Sequence, residues 1–217
     1  MTYTEEQQKE HELVMNALCQ GFHKKALPMV LKGGTALKLC YGLDRFSEDL
    51  DFDSMKPLNL EHSIEEIFGR LGKGQPKFRK PVISLTKKTD TVRRYRIIYG
   101  DSINLKIETS LRGTPDDKDI IELNGILTYK VFVLIKQKLR ALQGRTTARD
   151  FHDVVFLYGN FYDEFGDNQK ATIMDLYNNQ DSVLSRFNSA YSEDSVLTTT
   201  DLLTDLMNLI DLVESNK

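Results

Sequence analysis

Residues 33–53 read GGTALKLCYGLDRFSEDLDFD. Asp49, Asp51 and Asp53 alternate with Leu50 and Phe52. A period of two is the signature of a β-strand, in which side chains at i, i+2 and i+4 share one face. The three aspartates therefore point one way, and Leu50 and Phe52 point into a core. Like charges held this close repel, and burying any of them is costly without compensation. A hard divalent cation compensates well, because Mg²⁺ takes carboxylate oxygens and shares its remaining positions with phosphates. Two such ions about 3.5–4 Å apart can clamp the attacking and leaving oxygens of an in-line displacement. An exposed acidic edge that deters strand pairing is the alternative for this spacing alone. Just upstream, the apolar run Met29–Leu31 ends in Lys32-Gly33-Gly34-Thr35 and feeds a short helical stretch to Tyr41. Glycine lets a phosphate approach the backbone, a helix N-terminus offers free amides, and the Thr35 hydroxyl adds a donor or caps the helix. A plain tight turn with an N-cap fits the same letters. Neither the P-loop nor the dinucleotide fingerprint is present.

Around this stretch the chain is mixed in its first half and helical in its second. Thr4 to about Leu27 has helical spacing with Thr4 as N-cap, and Leu60–Leu71 is amphipathic. Val82–Lys87, Val92–Tyr99 and Ile103–Leu111 are strand-like, joined by hairpin turns at Lys87-Lys88-Thr89-Asp90 and Gly100-Asp101. From Thr128 the pattern is helical to the end, with Thr198–Thr200 capping the last helix. The expected organisation is α+β, with an α+β domain over 1–127 and a helical domain over 128–217.

The 217 residues carry a net charge of -3, so the chain as a whole is no nucleic-acid polycation. The charge is uneven. Lys73, Lys77, Arg79, Lys80, Lys87, Lys88, Arg93, Arg94, Arg96 and Lys106 make the middle basic, whereas the chain from Tyr162 onward is acidic. Either the middle faces an anion or its strands carry solvated faces. The opening MTYTEEQQKEHE lacks a signal-peptide pattern, and no apolar run approaches the roughly 18 residues of a membrane span. Cys19 and Cys40 fit a reducing, cytoplasmic setting, and no zinc-binding spacing occurs.

A third acid lies in INLKIETSL, where Asn104, Lys106 and Glu108 alternate with Ile103, Leu105 and Ile107. Glu108 is placed to complete a metal site or polarise an attacking hydroxyl. As a lone strand glutamate it equally suits solvent or a cross-strand lysine. Farther on, Asp150 and Asp153 share one helix face just after Thr146-Thr147, where they suit a salt bridge and the helix dipole. His152 is read as packing or surface, and Asp53 as a helper or surface charge.

This ordered set resembles the nucleotidyltransferase superfamily related to DNA polymerase beta: Gly34-Thr35, then Asp49-Leu50-Asp51, then an acid on a later strand. Within it the chain is similar to the AbiEii/AbiGii toxin family, through LysGlyGlyThrAlaLeu at 32–37, ArgPheSerGluAspLeuAspPhe at 45–52, LysLeuArgAla at 138–141 and ArgAspPheHisAsp at 149–153. The resemblance implies a nucleotidyltransferase-type mixed sheet flanked by helices, followed by a helical bundle. It implies Mg²⁺, as two ions with Mn²⁺ as a substitute, on Asp49, Asp51 and Glu108. It implies an NTP held by Lys32, Gly33, Gly34, Thr35, Arg45, Ser47 and Arg149, with Lys138 at the triphosphate or base and Asp153 orienting Lys138 or the nucleotide. The superfamily's third acid is commonly aspartate, and here it is the longer Glu108. The implied reaction moves NMP to an acceptor such as tRNA and releases pyrophosphate, in a toxin paired with an antitoxin. A binding module with weak catalysis, or transfer to a small-molecule or protein hydroxyl, are the competing readings.

Overall fold

The structure is a computed structural model that describes residues 3–216. Two compact units make up the chain. One holds Tyr3–Gly42 and Ser47–Lys130; the other holds Leu43–Phe46 and the chain from Val131 onward.

The first unit is built on a seven-stranded sheet: β1 (Met29–Lys32), β2 (Asp49–Ser54), β3 (Val82–Lys88), β4 (Val92–Tyr99), β5 (Ile103–Ser110), β6 (Ile120–Leu123) and β7 (Ile126–Tyr129). The strand order is β3-β4-β5-β2-β1-β7-β6. β2 runs antiparallel to β1 but parallel to β5, so the acidic strand sits inside the sheet rather than at an edge. That placement removes the edge-protection reading of the three aspartates. Leu50 and Phe52 are buried as expected. Their face is covered by α1 (Glu5–Lys24) and α3 (Glu61–Gly74): Phe22 meets Phe52 edge-on at 6.0 Å, and Phe68 packs on Tyr99 at 5.3 Å. Thr4 caps α1 through a capping box with Gln7. The hairpins β3–β4 and β4–β5 form as the turn residues predict.

Two strands differ from expectation. IIELNGILTY at 120–129 folds as the β6–β7 hairpin, and β7 pairs parallel with β1, so the helical region starts at Val131 rather than Thr128. Asn124 (φ 54°) and Gly125 (φ 74°) both take the positive φ that a two-residue type I′ turn requires. Asn-Gly between alternating apolar residues was the readable signal for this hairpin.

The second unit is helical: α4 (Val131–Gly144), α5 (Ala148–Asn160), α6 (Asp167–Asn178), α7 (Gln180–Glu193) and α8 (Leu202–Ser215). Here α5 is central, packing on α4, α7 and α8, with Phe151 stacked on Phe187 at 5.1 Å. The cap of α8 is Asp201, whose carboxylate accepts from the Thr204 amide, and not the threonine run before it. An ionised side chain one residue closer to the helix is the better acceptor for those amides.

Candidate active site

β2 and β5 run in parallel with Asp51 directly opposite Glu108 and Asp49 opposite Lys106. Glu108 in turn stands opposite Arg94 on β4, and Asp51 opposite Lys32 on β1. Opposed residues share a face. Asp49, Asp51 and Glu108 therefore lie together on the sheet face away from α1 and α3. Arg94 pairs with Glu108 through two nitrogens (2.8 and 2.7 Å), and Lys106 pairs with Asp49. Among the described residues, no hydrogen bond or ion pair of this kind is made by Asp51. Burial, followed by the charges of Asp49 and Glu108, pushes its carboxyl above the ordinary range against the pull of Lys106 and Lys32.

The glycine turn abuts this carboxylate. Gly33 opens α2 (Gly33–Tyr41) at φ +76°, where an L side chain is strained, and a β-carbon there would sit 3.7 Å from Asp51 Oδ2. Lys32 precedes α2 as its N-cap residue but makes no side-chain cap. Thr35, expected as the cap, lies inside the first turn and is buried. Its hydroxyl shares a hydrogen bond with Ser47 Oγ (2.7 Å) and donates to the Asp49 carbonyl. Thr35 and Ser47 thus latch the start of α2 to the start of β2, which aims the first-turn amides beside the acids. Asp53 is no surface charge. It is buried, receives Lys32 Nζ at 2.5 Å and the Tyr129 hydroxyl at 2.8 Å, and Gly113 leaves its carboxylate room that a β-carbon would fill at 2.7 Å.

The helical unit holds the other conspicuous set of charges. Arg45 grips buried Asp153 through Nε (2.6 Å) and a terminal nitrogen (2.7 Å), and donates to the Phe46 carbonyl. Lys138 is buried between Asp153 (2.6 Å) and Asp150 (3.1 Å), and Asp150 also takes Arg145 and the Thr147 hydroxyl. Burial alone would raise Asp153, but Lys138 and Arg45 hold it below the usual carboxylate range. His152, read as packing or surface, is buried and bridges Asp205 (3.0 Å) and Asp44 (2.9 Å). Arg149 pairs with Asp194 at 3.0 Å.

A model of the family described as nucleotidyl transferase AbiEii toxin, type IV TA system, matches residues 16–208. The chain belongs to that family. It is a nucleotidyltransferase. The crystal structure of JHP933 from Helicobacter pylori superposes with a TM-score of 0.83 at 31% identity, covering 98% of this chain and 93% of that one. MenT4, the nucleotidyltransferase toxin Rv2826c from Mycobacterium tuberculosis H37Rv, shares the fold at 14% identity with a TM-score of 0.57, covering 95% and 84%. No curated protein matches in sequence.

In this AbiEii nucleotidyltransferase the predicted residues fall into two groups. Lys32, Gly33, Gly34, Thr35, Ser47, Asp49, Asp51 and Glu108 belong to the sheet unit; Arg45, Lys138, Arg149 and Asp153 belong to the helical one. Asp153 pairs with Lys138. Arg45, expected at a substrate, spends its guanidinium on Asp153 and a carbonyl. The motif reading missed Lys106 and Arg94, although alternation in INLKIETSL and VRRYRIIY placed both on polar faces. The oxygen donors of Asp49, Asp51 and Glu108, which share one sheet face, suit a hard divalent cation. As the side chains stand, Asp49 and Glu108 turn to Lys106 and Arg94, and among the described residues no three such groups converge on one point. Both would exchange those cations for a metal shared with Asp51.

Proposed function

We propose that this AbiEii-family chain transfers NMP from an NTP to an RNA acceptor, tRNA in the first instance, as the toxin of a toxin–antitoxin pair. The carrying observation is the parallel register that sets Asp51 opposite Glu108 with Gly33 beside it. Asp49, Asp51 and Glu108 hold divalent magnesium, which when bound neutralises phosphate charge and polarises the transferred phosphoryl group. Gly33 and Gly34 bring backbone amides to the triphosphate, and the Thr35–Ser47 latch keeps those amides aimed. Glu108 accepts the proton of the acceptor hydroxyl, and Arg94 and Lys106 pair with Glu108 and Asp49 until the substrates arrive. In-line attack at the α-phosphorus then expels pyrophosphate. Catalysis is chiefly positioning and charge neutralisation. A cytoplasmic setting suits the two free thiols, Cys19 and Cys40. Incubation with α-labelled NTPs, Mg²⁺ and total tRNA tests the reading. Label should enter tRNA and vanish with Asp49→Ala; label moving only to a small metabolite or to protein, or transfer that survives Asp49→Ala, would refute it.

A further inference from the structure

The basic middle of the chain is not one patch. Pairing sorts it: Arg93 turns to the face away from the acids and donates to the Leu58 carbonyl, Arg79 donates to the Gly72 carbonyl, and Lys77 pairs with Glu10. Register places a different subset on the acidic face. One row runs Lys87, Arg94, Glu108, Asp51 from β3 to β2; the next runs Ser84, Arg96, Lys106, Asp49. From β4 to β2 each row passes from cation to carboxylate, and the glycine turn lies beyond the carboxylates on the β1 side. Arg94 and Lys106 neutralise Glu108 and Asp49. Arg96 and Lys87 exceed that need: both are exposed, and Arg96 Nε donates to the neutral Asn104 side chain at 3.1 Å. They sit on the outermost two strands, where β3 is almost wholly exposed.

We infer that this β3–β4 shelf binds the phosphate backbone of the RNA acceptor, a reading that rests on the proposed acceptor class. Arg94 and Arg96 are two residues apart on one strand, about 6.6 Å along it. Neighbouring strands lie about 4.8 Å apart, so the cations form a small grid and not an isolated charge. A backbone with one charge per nucleotide meets such a grid repeatedly, and the acids then lie between two anion sites: triphosphate on the β1–α2 flank, acceptor on the β4–β3 flank. That geometry brings an acceptor hydroxyl to Glu108 from the side opposite the glycine turn.

Fluorescence anisotropy with a labelled single-stranded oligoribonucleotide and labelled tRNA, in EDTA and without nucleotide, tests the shelf independently of any transfer. Arg96→Glu combined with Lys87→Glu should weaken binding at least about tenfold and flatten the log K against log salt slope by about 1.4, two contacts at about 0.7 each. The neutral pair Arg96→Gln with Lys87→Gln should fall between, and a charge-matched control, Lys88→Glu with Lys73→Glu, should retain affinity. Circular dichroism melts confirm that each variant is folded. Equal losses in the control, no RNA binding by the wild-type chain, or shelf-dependent capture of polyglutamate in place of RNA would overturn the assignment. A chain that binds RNA through the shelf yet transfers no label would instead defeat the catalytic proposal and leave the shelf standing.

Discussion

Asp51 in the sheet and Asp153 in the helical unit are both carboxylates set among lysines and arginines, yet their surroundings drive them in opposite directions. Asp153 is buried and receives two nitrogens of Arg45 and the ammonium of Lys138, so it is held below the ordinary range. Burial first, and then the charges of Asp49 and Glu108 on the same face, push Asp51 up against the pull of Lys106 and Lys32. A buried charge whose partners are all in place serves architecture. A charge crowded by its own kind, beside a glycine turn, costs stability, and that cost suits the chemical role proposed for it.

That contrast breaks most sharply under substitution. Asp51→Asn should cut nucleotide transfer by about 10²–10³-fold or more, a loss typical of removing one group that stabilises transition-state charge. Its melting temperature should hold or rise, because a repelling charge is gone. Asp153→Ala should do the reverse to the fold. It strands Arg45 and Lys138 in the interior, and chemical denaturation should register a loss of about 3–5 kcal/mol. A destabilised Asp51→Asn beside a stable Asp153→Ala would abolish the distinction.

Stability against pH sharpens it further. Asp150 and Asp153 titrate below their unfolded value near ~4, so their stabilisation is full above it and is lost as pH falls through the folded values. His152 behaves oppositely. Burial would depress it, but Asp205 and Asp44 raise it overall. Its contribution is present below the unfolded value near ~6.5 and disappears as pH rises through the folded one. Urea denaturation from about pH 2 to 9 should therefore show an alkaline decline that His152→Asn removes, with the acid limb unchanged. The smallest expected effect is at Asp53, the satisfied member of the acidic strand. Tyr129→Phe removes one hydrogen bond but leaves Lys32, for a loss of about 1–2 kcal/mol and little change in transfer per folded molecule.

Particular residues show how far the letters reached. The alternation of Asp49–Asp53 announced a strand and its two faces, and both faces are as read. Thr4 announced a cap and is one. Asn124-Gly125 announced a hairpin as clearly, but the run is short and precedes a long helical pattern, and its strand is needed only because β1 lacks a second neighbour without it. Leu43–Phe46 reads as a loop inside the first domain. It belongs with the helices because Arg45 finds Asp153, 108 residues away, and no local pattern encodes that pairing.

By itself the sequence determined what short-range sterics determine: which residues alternate, where a glycine must take positive φ, and which ordered motifs mark the family. Tertiary structure alone decided that β5 lies parallel to β2 with Glu108 level with Asp51, and that Arg94 and Lys106 share their face while Arg93 does not. Slipping β5 by one residue would turn Leu105 and Ile107 outward and its charges into the core, and slipping β2 would do the same to Leu50 and Phe52. Burial of the apolar face therefore selects a register that places the acids together.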